Sequence, residues 1–360
     1  MHTVIPFPSP SDDEPLVTRK ADVRTLEALL EQGAIQAITP ELRAAQALHP
    51  VTVTPALMDL INPNDPYDPI AQQFIPSPHE LEAEPRALPD PIGDQINSPV
   101  PGIVHRYPDR LLLNLLHACP AYCRFCFRRG RVGPQGGLLS PAQLETALNY
   151  IRAHKEIWEV ILSGGEPLML SVRRLRDVFM QLHAIEHVKT LRIHTRSPIT
   201  TPERFTPELV RLLAGPKPVT ILVHCNHPNE LSPAARTALA RLADAGIPLY
   251  SQSVLLKNVN DDVETLTALM RAFIECRIKP HYLHHPDLVA GTHHFRVSLD
   301  DGIALVTQLQ GRLSGLCQPR YILDIPGGAG KVNILSPQVQ KTEKGWRIEN
   351  YKGEKFFYEG

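Results

Sequence analysis

From about residue 105 onward, short apolar runs alternate with stretches whose apolar residues recur at helical spacing. The runs 111–116, 159–163, 190–195, 219–225, 249–256 and 280–284 read as strands. The stretches near 141–154, 171–185, 206–214, 231–245, 262–277 and 298–313 read as helices between them. Strict alternation of this kind predicts a parallel sheet with right-handed crossovers. Six units fall short of the eight that close a TIM barrel, so a partial (β/α)6 barrel is expected. A further run, Tyr321-Ile-Leu-Asp324, extends the series at one end, and β-like runs between Val332 and Gly360 predict a small hairpin cap.

The first hundred residues follow no such pattern. Residues 1–15 are rich in Pro, Ser and Asp and read as loosely held. Short helices are predicted over 24–33, 40–47 and 55–61, followed by a proline-punctuated wrap from Asn62 to Pro101. An irregular stretch of that length is uncommon inside a compact domain and is expected to lie across another part of the molecule. This gives three regions: 1–104, helical and Pro-rich; 105–325, the partial barrel; and 326–360, a glycine-rich turn with the cap.

Composition narrows the class. The chain has 360 residues, a formal net charge of −1 and 43% hydrophobic residues, as an ordinary soluble globular protein does. Nothing in the charge distribution marks a nucleic-acid surface. No apolar run approaches the ~20 residues needed to span a bilayer, and the first residues lack the layout of a secretory signal. A cytoplasmic protein is expected. Proline, at 35 residues, is about twice its average share of ~5%.

Candidate chemistry collects where strands end, which is where barrels of this type place their active sites. After the first strand comes Cys119-Pro-Ala-Tyr-Cys123-Arg-Phe-Cys126, which holds three of the six cysteines. Three thiolates in one short loop suit a soft metal. A structural zinc takes four protein ligands, and no fourth lies nearby. A [4Fe–4S] cube held by three cysteines leaves one iron open, the arrangement of radical SAM enzymes, in which that iron chelates S-adenosylmethionine. A zinc knob or a disulfide framework is the competing reading.

The second strand leads into Ser163-Gly-Gly-Glu-Pro167, where Gly164 and Gly165 permit close backbone approach and Glu166 offers an acceptor. His194-Thr-Arg-Ser-Pro198, His224 to Glu230 and Ser251-Gln-Ser253 supply polar groups to the same face. Singly, each reads as a hydrogen-bonded loop. Around the sixth strand, His281, His284, His285, His293 and His294 raise a metal-site reading, but their spacing does not repeat helically. Asp287, a carboxylate at a strand end, calls for a cation such as a substrate amine.

Asp324-Ile-Pro-Gly-Gly-Ala-Gly-Lys331 fails as a phosphate loop. Ile325 stands where the first glycine of G-x4-G-K-[S/T] belongs, and Val332 replaces the Ser/Thr. A lysine on such a turn beside a barrel mouth can instead form a Schiff base with pyridoxal phosphate. Arg106 and Arg110 precede the first strand and are candidates for the phosphate; pairing with surface carboxylates is the alternative.

Taken in order, His105-Arg-Tyr-Pro-Asp-Arg110, the cysteine loop through Arg129, Leu162 to Pro167, His224 to Glu230, Gln252 to Leu256 and Asp324 to Lys331 closely resemble the lysine 2,3-aminomutase family. That family includes relatives that make β-lysine for elongation factor P. The resemblance covers about residues 65–335. It implies a [4Fe–4S] cluster on Cys119, Cys123 and Cys126, and S-adenosylmethionine bordered by Gly164, Gly165, Glu166 and Gln252. It implies pyridoxal 5′-phosphate on Lys331, with Arg106 and Arg110 at the phosphate. It also implies substrate carboxylate recognition by Arg128 and side-chain ammonium recognition by Asp287 and Asp324. The implied reaction interconverts L-lysine and β-lysine by a 5′-deoxyadenosyl radical.

Two acids at the side-chain end favour a cationic substrate. Lysine leads, arginine is the rival, and a non-catalytic Fe–S binding or sensing protein is the rival of a different class. Some members bind zinc between subunits through a cysteine-bearing tail; this chain has no cysteine after Cys317, so no such zinc is expected. Its short tail resembles the elongation factor P branch, whereas Asp324 to Lys331 looks more like the free-standing mutases. A homo-oligomer and an electron donor such as flavodoxin or ferredoxin are the expected partners, with neither nucleic acid nor membrane. Cys225, Cys276 and Cys317 read as ordinary buried thiols.

Overall fold

The computed structural model describes residues 22–132 and 137–360. Residues 1–15, expected to be loosely held, lie outside the described residues. The core is a nine-stranded sheet in sequence order. Its strands are β1 (Ile103–Tyr107), β2 (Arg110–Leu116), β3 (Glu159–Gly164), β4 (Thr190–Thr195), β5 (Val219–His224), β6 (Leu249–Val254), β7 (Ile278–His284), β8 (Arg320–Asp324) and β9 (Lys331–Asn333). β2 to β8 run parallel; β1 and β9 pair antiparallel at the two edges. Among the described residues the edges do not join, so the sheet forms an open, partial barrel.

The crossover helices are Pro141–Ala153, Val172–His183, Pro207–Leu213, Pro233–Asp244, Val263–Glu275 and Leu299–Leu309. Each starts on a side-chain cap that the sequence supplies: Ser140, Ser171, Thr206, Ser232, Asp262 and Ser298. Such caps satisfy backbone N–H groups that have no partner in the first turn. Apolar residues of these helices, among them Leu148, Phe179, Leu239 and Phe273, join those of the strands in one continuous core. The helix starts are thereby pinned, and the loops preceding them face one end of the barrel.

Several elements differ from the sequence reading. β1 and β9 were not expected; Pro99 and Pro101 stand just before the first, and the second is three residues long. The stretch read as an irregular wrap contains the helix Pro69–Phe74, with Asp68 accepting from Ile70 and Ala71 N–H, and a 3-10 turn at Pro78–Leu81. The cap is a three-stranded sheet rather than a hairpin: β10 (Val339–Thr342), β11 (Gly345–Glu349) and β12 (Lys355–Tyr358).

The wrap does lie across the barrel. Arg124 N–H donates to the Gln73 carbonyl at 2.8 Å, and just ahead of the wrap the Thr52 carbonyl accepts from Tyr122 N–H at 2.9 Å. Glu80, fully enclosed, pairs with both Arg124 and Arg129. Breaking such a buried ion group by removing one partner costs about 3–5 kcal/mol. The wrap is therefore fixed to the cysteine loop from both sides. Further along, Gly327 N–H donates to the Pro91 carbonyl at 3.0 Å, tying the wrap to the glycine-rich turn. The cap holds that turn from the other side, where Asn350 Nδ2 donates to the Ala329 carbonyl at 3.0 Å.

Candidate active site

Every residue assigned to the cluster, S-adenosylmethionine, pyridoxal phosphate or substrate lines one cavity of about 290 Å³ at the C-terminal end of the barrel, whereas His281, His285, His293 and His294 do not. Cys119, Cys123 and Cys126 stand on the loop after β2 and form no disulfide. Gly164, Gly165 and Glu166 follow β3, Gln252 lies on β6, Asp287 follows β7, and Asp324 and Lys331 face each other across β8 and β9. Arg106, Arg110 and Arg128 complete the wall.

The glycines act differently from the sequence expectation. A Cβ on Gly165 would stand 2.2 Å from the Ala118 carbonyl oxygen, and one on Gly164 would stand 2.5 Å from that of Leu116. The close approach they allow is to the chain itself, where β2 turns into the cysteine loop. Gly165 N–H donates to Leu116 O at 2.7 Å, and Glu166 N–H to Ala118 O at 2.8 Å. The two motifs are thus locked together through backbone.

Glu166 is buried and accepts from Thr195 Oγ1 at 2.7 Å, Leu168 N–H at 3.1 Å and Arg196 N–H at 2.8 Å. Burial raises its pKa against these bonds. Its Oε2 faces the Arg196 N–H at the start of the turn after β4.

At the opposite end of the cavity the charges balance. Lys331 Nζ pairs with Asp324 Oδ2, and Arg106 Nη1 reaches Asp324 Oδ1 at 3.3 Å. Burial works against the Asp324 charge, but Lys331 and His284 hold its carboxyl far below the usual range. Asp287 moves the other way. Burial, then the Asp324 charge, push it up to about 7. The acids therefore differ: Asp324 already has cations beside it, and Asp287 forms no ion pair among the described residues. Arg128 Nε donates to Asp94 Oδ2 at 2.8 Å, while its Nη1 makes only long contacts of 3.4 Å to Ser163 Oγ and Gly164 O. Arg110 lies over the Tyr107 ring at 3.9 Å and pairs with Asp109 at 2.6 Å. The surface-carboxylate alternative thus describes Arg110 as it stands, while Arg106 faces inward.

Sequence reasoning missed Asp94, Glu80 and Tyr107. Asp94 is buried and pairs with Arg128 at 2.8 Å and Arg106 at 3.7 Å. The Tyr107 hydroxyl accepts from Lys331 N–H at 2.9 Å. The excess of arginine among the nominated residues was the available signal for a missing acid.

The residues fit the groups the motifs imply. Burial and the neighbouring thiolate charges push the Cys119 thiol well above its usual range, and Cys126 up to about 11. Thiols in that setting become thiolates when a metal charge is supplied. Among the described residues no three His, Cys, Asp or Glu side chains converge to hold a single metal ion. A cube presents a separate iron to each cysteine, so its thiolates need not converge. His281, His284, His285, His293 and His294 likewise form no such group. Arg106 Nε, Arg196 Nε, His194 Nε2, His224 Nε2 and His284 Nε2 are buried in the cavity wall without partners among the described residues. A site lined with unspent polar atoms suits polar cofactors.

Residues 113–270 match the Radical SAM superfamily. The L-lysine 2,3-aminomutase of Clostridium subterminale is 40% identical over 305 residues, 85% of this chain and 71% of that protein. The glutamate 2,3-aminomutase of Clostridioides difficile (strain 630) is 37% identical over 325 residues, 89% of this chain and 75% of that one. A solved structure of Streptococcus suis SuiB bound to S-adenosylmethionine covers 61% of this chain and 51% of its own, at 17% identity and a TM-score of 0.46. The chain belongs to the lysine 2,3-aminomutase family, within the radical SAM superfamily. It is an isomerase that works with a [4Fe–4S] cluster, S-adenosylmethionine and pyridoxal phosphate.

Proposed function

We propose that this protein interconverts L-lysine and β-lysine. The observation that carries the substrate is the pair Asp287 and Asp324, enclosed in the same cavity as Lys331 and Arg128. The bound cofactors supply a 5′-deoxyadenosyl radical and a conjugated ring over which unpaired spin spreads while nitrogen moves between C2 and C3.

Cys119, Cys123 and Cys126 would hold three irons and leave the fourth for S-adenosylmethionine, with Gly164, Gly165, Glu166 and Gln252 along its length. Arg106 and Arg110 would hold the phosphate of pyridoxal phosphate. Arg128, anchored through Nε by Asp94, keeps its outer nitrogens for a carboxylate. With its nitrogen committed to pyridoxal, Lys331 would no longer serve as the ammonium partner of Asp324, which together with Asp287 would be left for the side-chain ammonium of the substrate. A γ-carboxylate there would meet two buried acids and be repelled. Arginine remains the second cationic candidate.

Regions 1–104, 105–325 and 326–360 would serve as cover, barrel and lysine-bearing cap. Among the described residues no helix is long and apolar enough to cross a membrane. We place the protein in a reducing cytoplasm, assembled with copies of itself and supplied with electrons by a donor such as flavodoxin or ferredoxin.

Borohydride reduction of the pyridoxal-loaded protein tests the assignment of Lys331. A pyridoxyl adduct on Lys331, located by peptide mass spectrometry, is the expected result. An adduct on another lysine, or none, removes the pyridoxal site and leaves the non-catalytic reading.

A further inference from the structure

Arg196 follows β4 directly, and the proposed function gives it no role. Its Nη1 donates to Cys123 Sγ at 3.1 Å. Its Nη2 donates to Gln73 Oε1 at 2.6 Å and Glu230 Oε2 at 2.7 Å. Its backbone N–H is spent on Glu166 at 2.8 Å. The guanidinium lies 4.5 Å from the Phe74 ring centre and 5.3 Å from that of Phe125.

Glu230 is enclosed as well. It accepts from Asn226 N–H at 2.9 Å, His227 N–H at 3.0 Å and Gln73 Nε2 at 3.1 Å. The arginine is therefore gripped from the wrap, the end of β4 and the turn after β5, and cannot swing away from Cys123. Buried charge is costly unless paired and hydrogen-bonded. Here the pairing leaves Nη1 directed at one thiol, and Nε unspent beside it.

We propose that Arg196 sets the reduction potential of the cluster by donating a charged N–H···S bond to Cys123. This rests on the reading that Cys119, Cys123 and Cys126 hold a cluster. Reduction adds one negative charge to a group already carrying three thiolates. A fixed cation and donor at one thiolate stabilises the reduced state more than the oxidised one, because the reduced state carries more charge on sulfur. The potential is thereby raised, into easier reach of a one-electron donor. Arg196 acts through Cys123 and is a positioning and tuning residue, not a catalytic one.

The test uses full-length protein, reconstituted with iron and sulfide without oxygen, as parent, Arg196→Lys, and Arg196→Met combined with Glu230→Gln. The double variant removes one buried positive and one buried negative charge together, so it strands no ion. Its readouts are bound iron and the midpoint potential from an EPR-monitored redox titration. The double variant is predicted to bind as much iron as the parent and to be reduced at least tenfold less at a fixed potential, a negative shift of about 59 mV for one electron. Arg196→Lys, which keeps the charge but loses the fork, falls between the two. An unchanged midpoint in the double variant overturns the inference. So does loss of iron from Arg196→Lys, which would make Arg196 a support of the loop alone. A parent protein that takes up no cluster on these cysteines overturns the functional reading itself.

Discussion

Asp94 balances charge at the end of the cavity that carries Arg106 and Arg128. It is buried, it fixes Arg128 at 2.8 Å, and it lies 3.7 Å from Arg106. Removing one member of a buried, hydrogen-bonded charge pair costs about 2–5 kcal/mol in binding. Asp94→Asn is therefore predicted to raise the KM for lysine by at least about tenfold, since 1.4 kcal/mol is a factor of ten, while the iron content stays at the parent level. Steady-state kinetics with iron analysis checks this. Asp287 gives a pH signature. Its carboxyl, pushed up to about 7 by burial and the Asp324 charge, is mostly protonated at pH 6 and ionised at pH 8. An ammonium favours the ionised form, so kcat/KM for lysine is predicted to rise through pH 7. Asp287→Asn should lose that limb; a limb that persists in the variant belongs to another group. Asp287, Asp324 and Lys331 were legible in the sequence because strand ends mark a barrel's active face. Asp94 was not, because it sits in a wrap with no periodicity to place it.

Among the elements, the turn after β3 governs the geometry of the cysteine loop. Gly165 packs so closely on Ala118 that a Cβ would stand 2.2 Å from its carbonyl oxygen. Because the obstacle is backbone, no rotamer change relieves it. Gly165→Ala is predicted to destabilise the protein by about 1–3 kcal/mol, the usual range for overpacking, and to lower bound iron by displacing Cys119. Denaturant unfolding and iron analysis measure the two effects together; full stability with full iron would show that the loop adapts. The sequence made the glycines visible but not their partner, since which backbone approaches which is a tertiary fact. The strands β2 to β8 were legible as apolar runs. The two antiparallel edges were not: β1 follows prolines, and β9 is too short to show a period. Yet β9 carries Lys331, and its pairing with β8 sets that lysine opposite Asp324. The helix Pro69–Phe74 had its signal in Asp68 and Pro69, a cap followed by proline at the first helical position.

At the scale of the whole molecule, wrap, barrel and the lysine-bearing turn all reach one cavity, with Cys119, Cys123, Cys126 and Lys331 in its wall. The wrap grips the cysteine loop through Glu80 and Gln73, and the cap holds the lysine turn through Asn350. On the proposed assignment, radical generation and nitrogen migration share that single cavity, and Asp287 and Asp324 select the substrate. The most direct measurement of this account is product formation. The protein, reconstituted without oxygen with iron, sulfide and pyridoxal phosphate, is given dithionite, S-adenosylmethionine and L-lysine, and the mixture is resolved by chiral chromatography. The account predicts β-lysine in many-fold excess over any S-adenosylmethionine consumed. The absence of β-lysine, with 5′-deoxyadenosine accumulating slowly instead, would contradict the assignment of substrate while leaving the radical machinery in place.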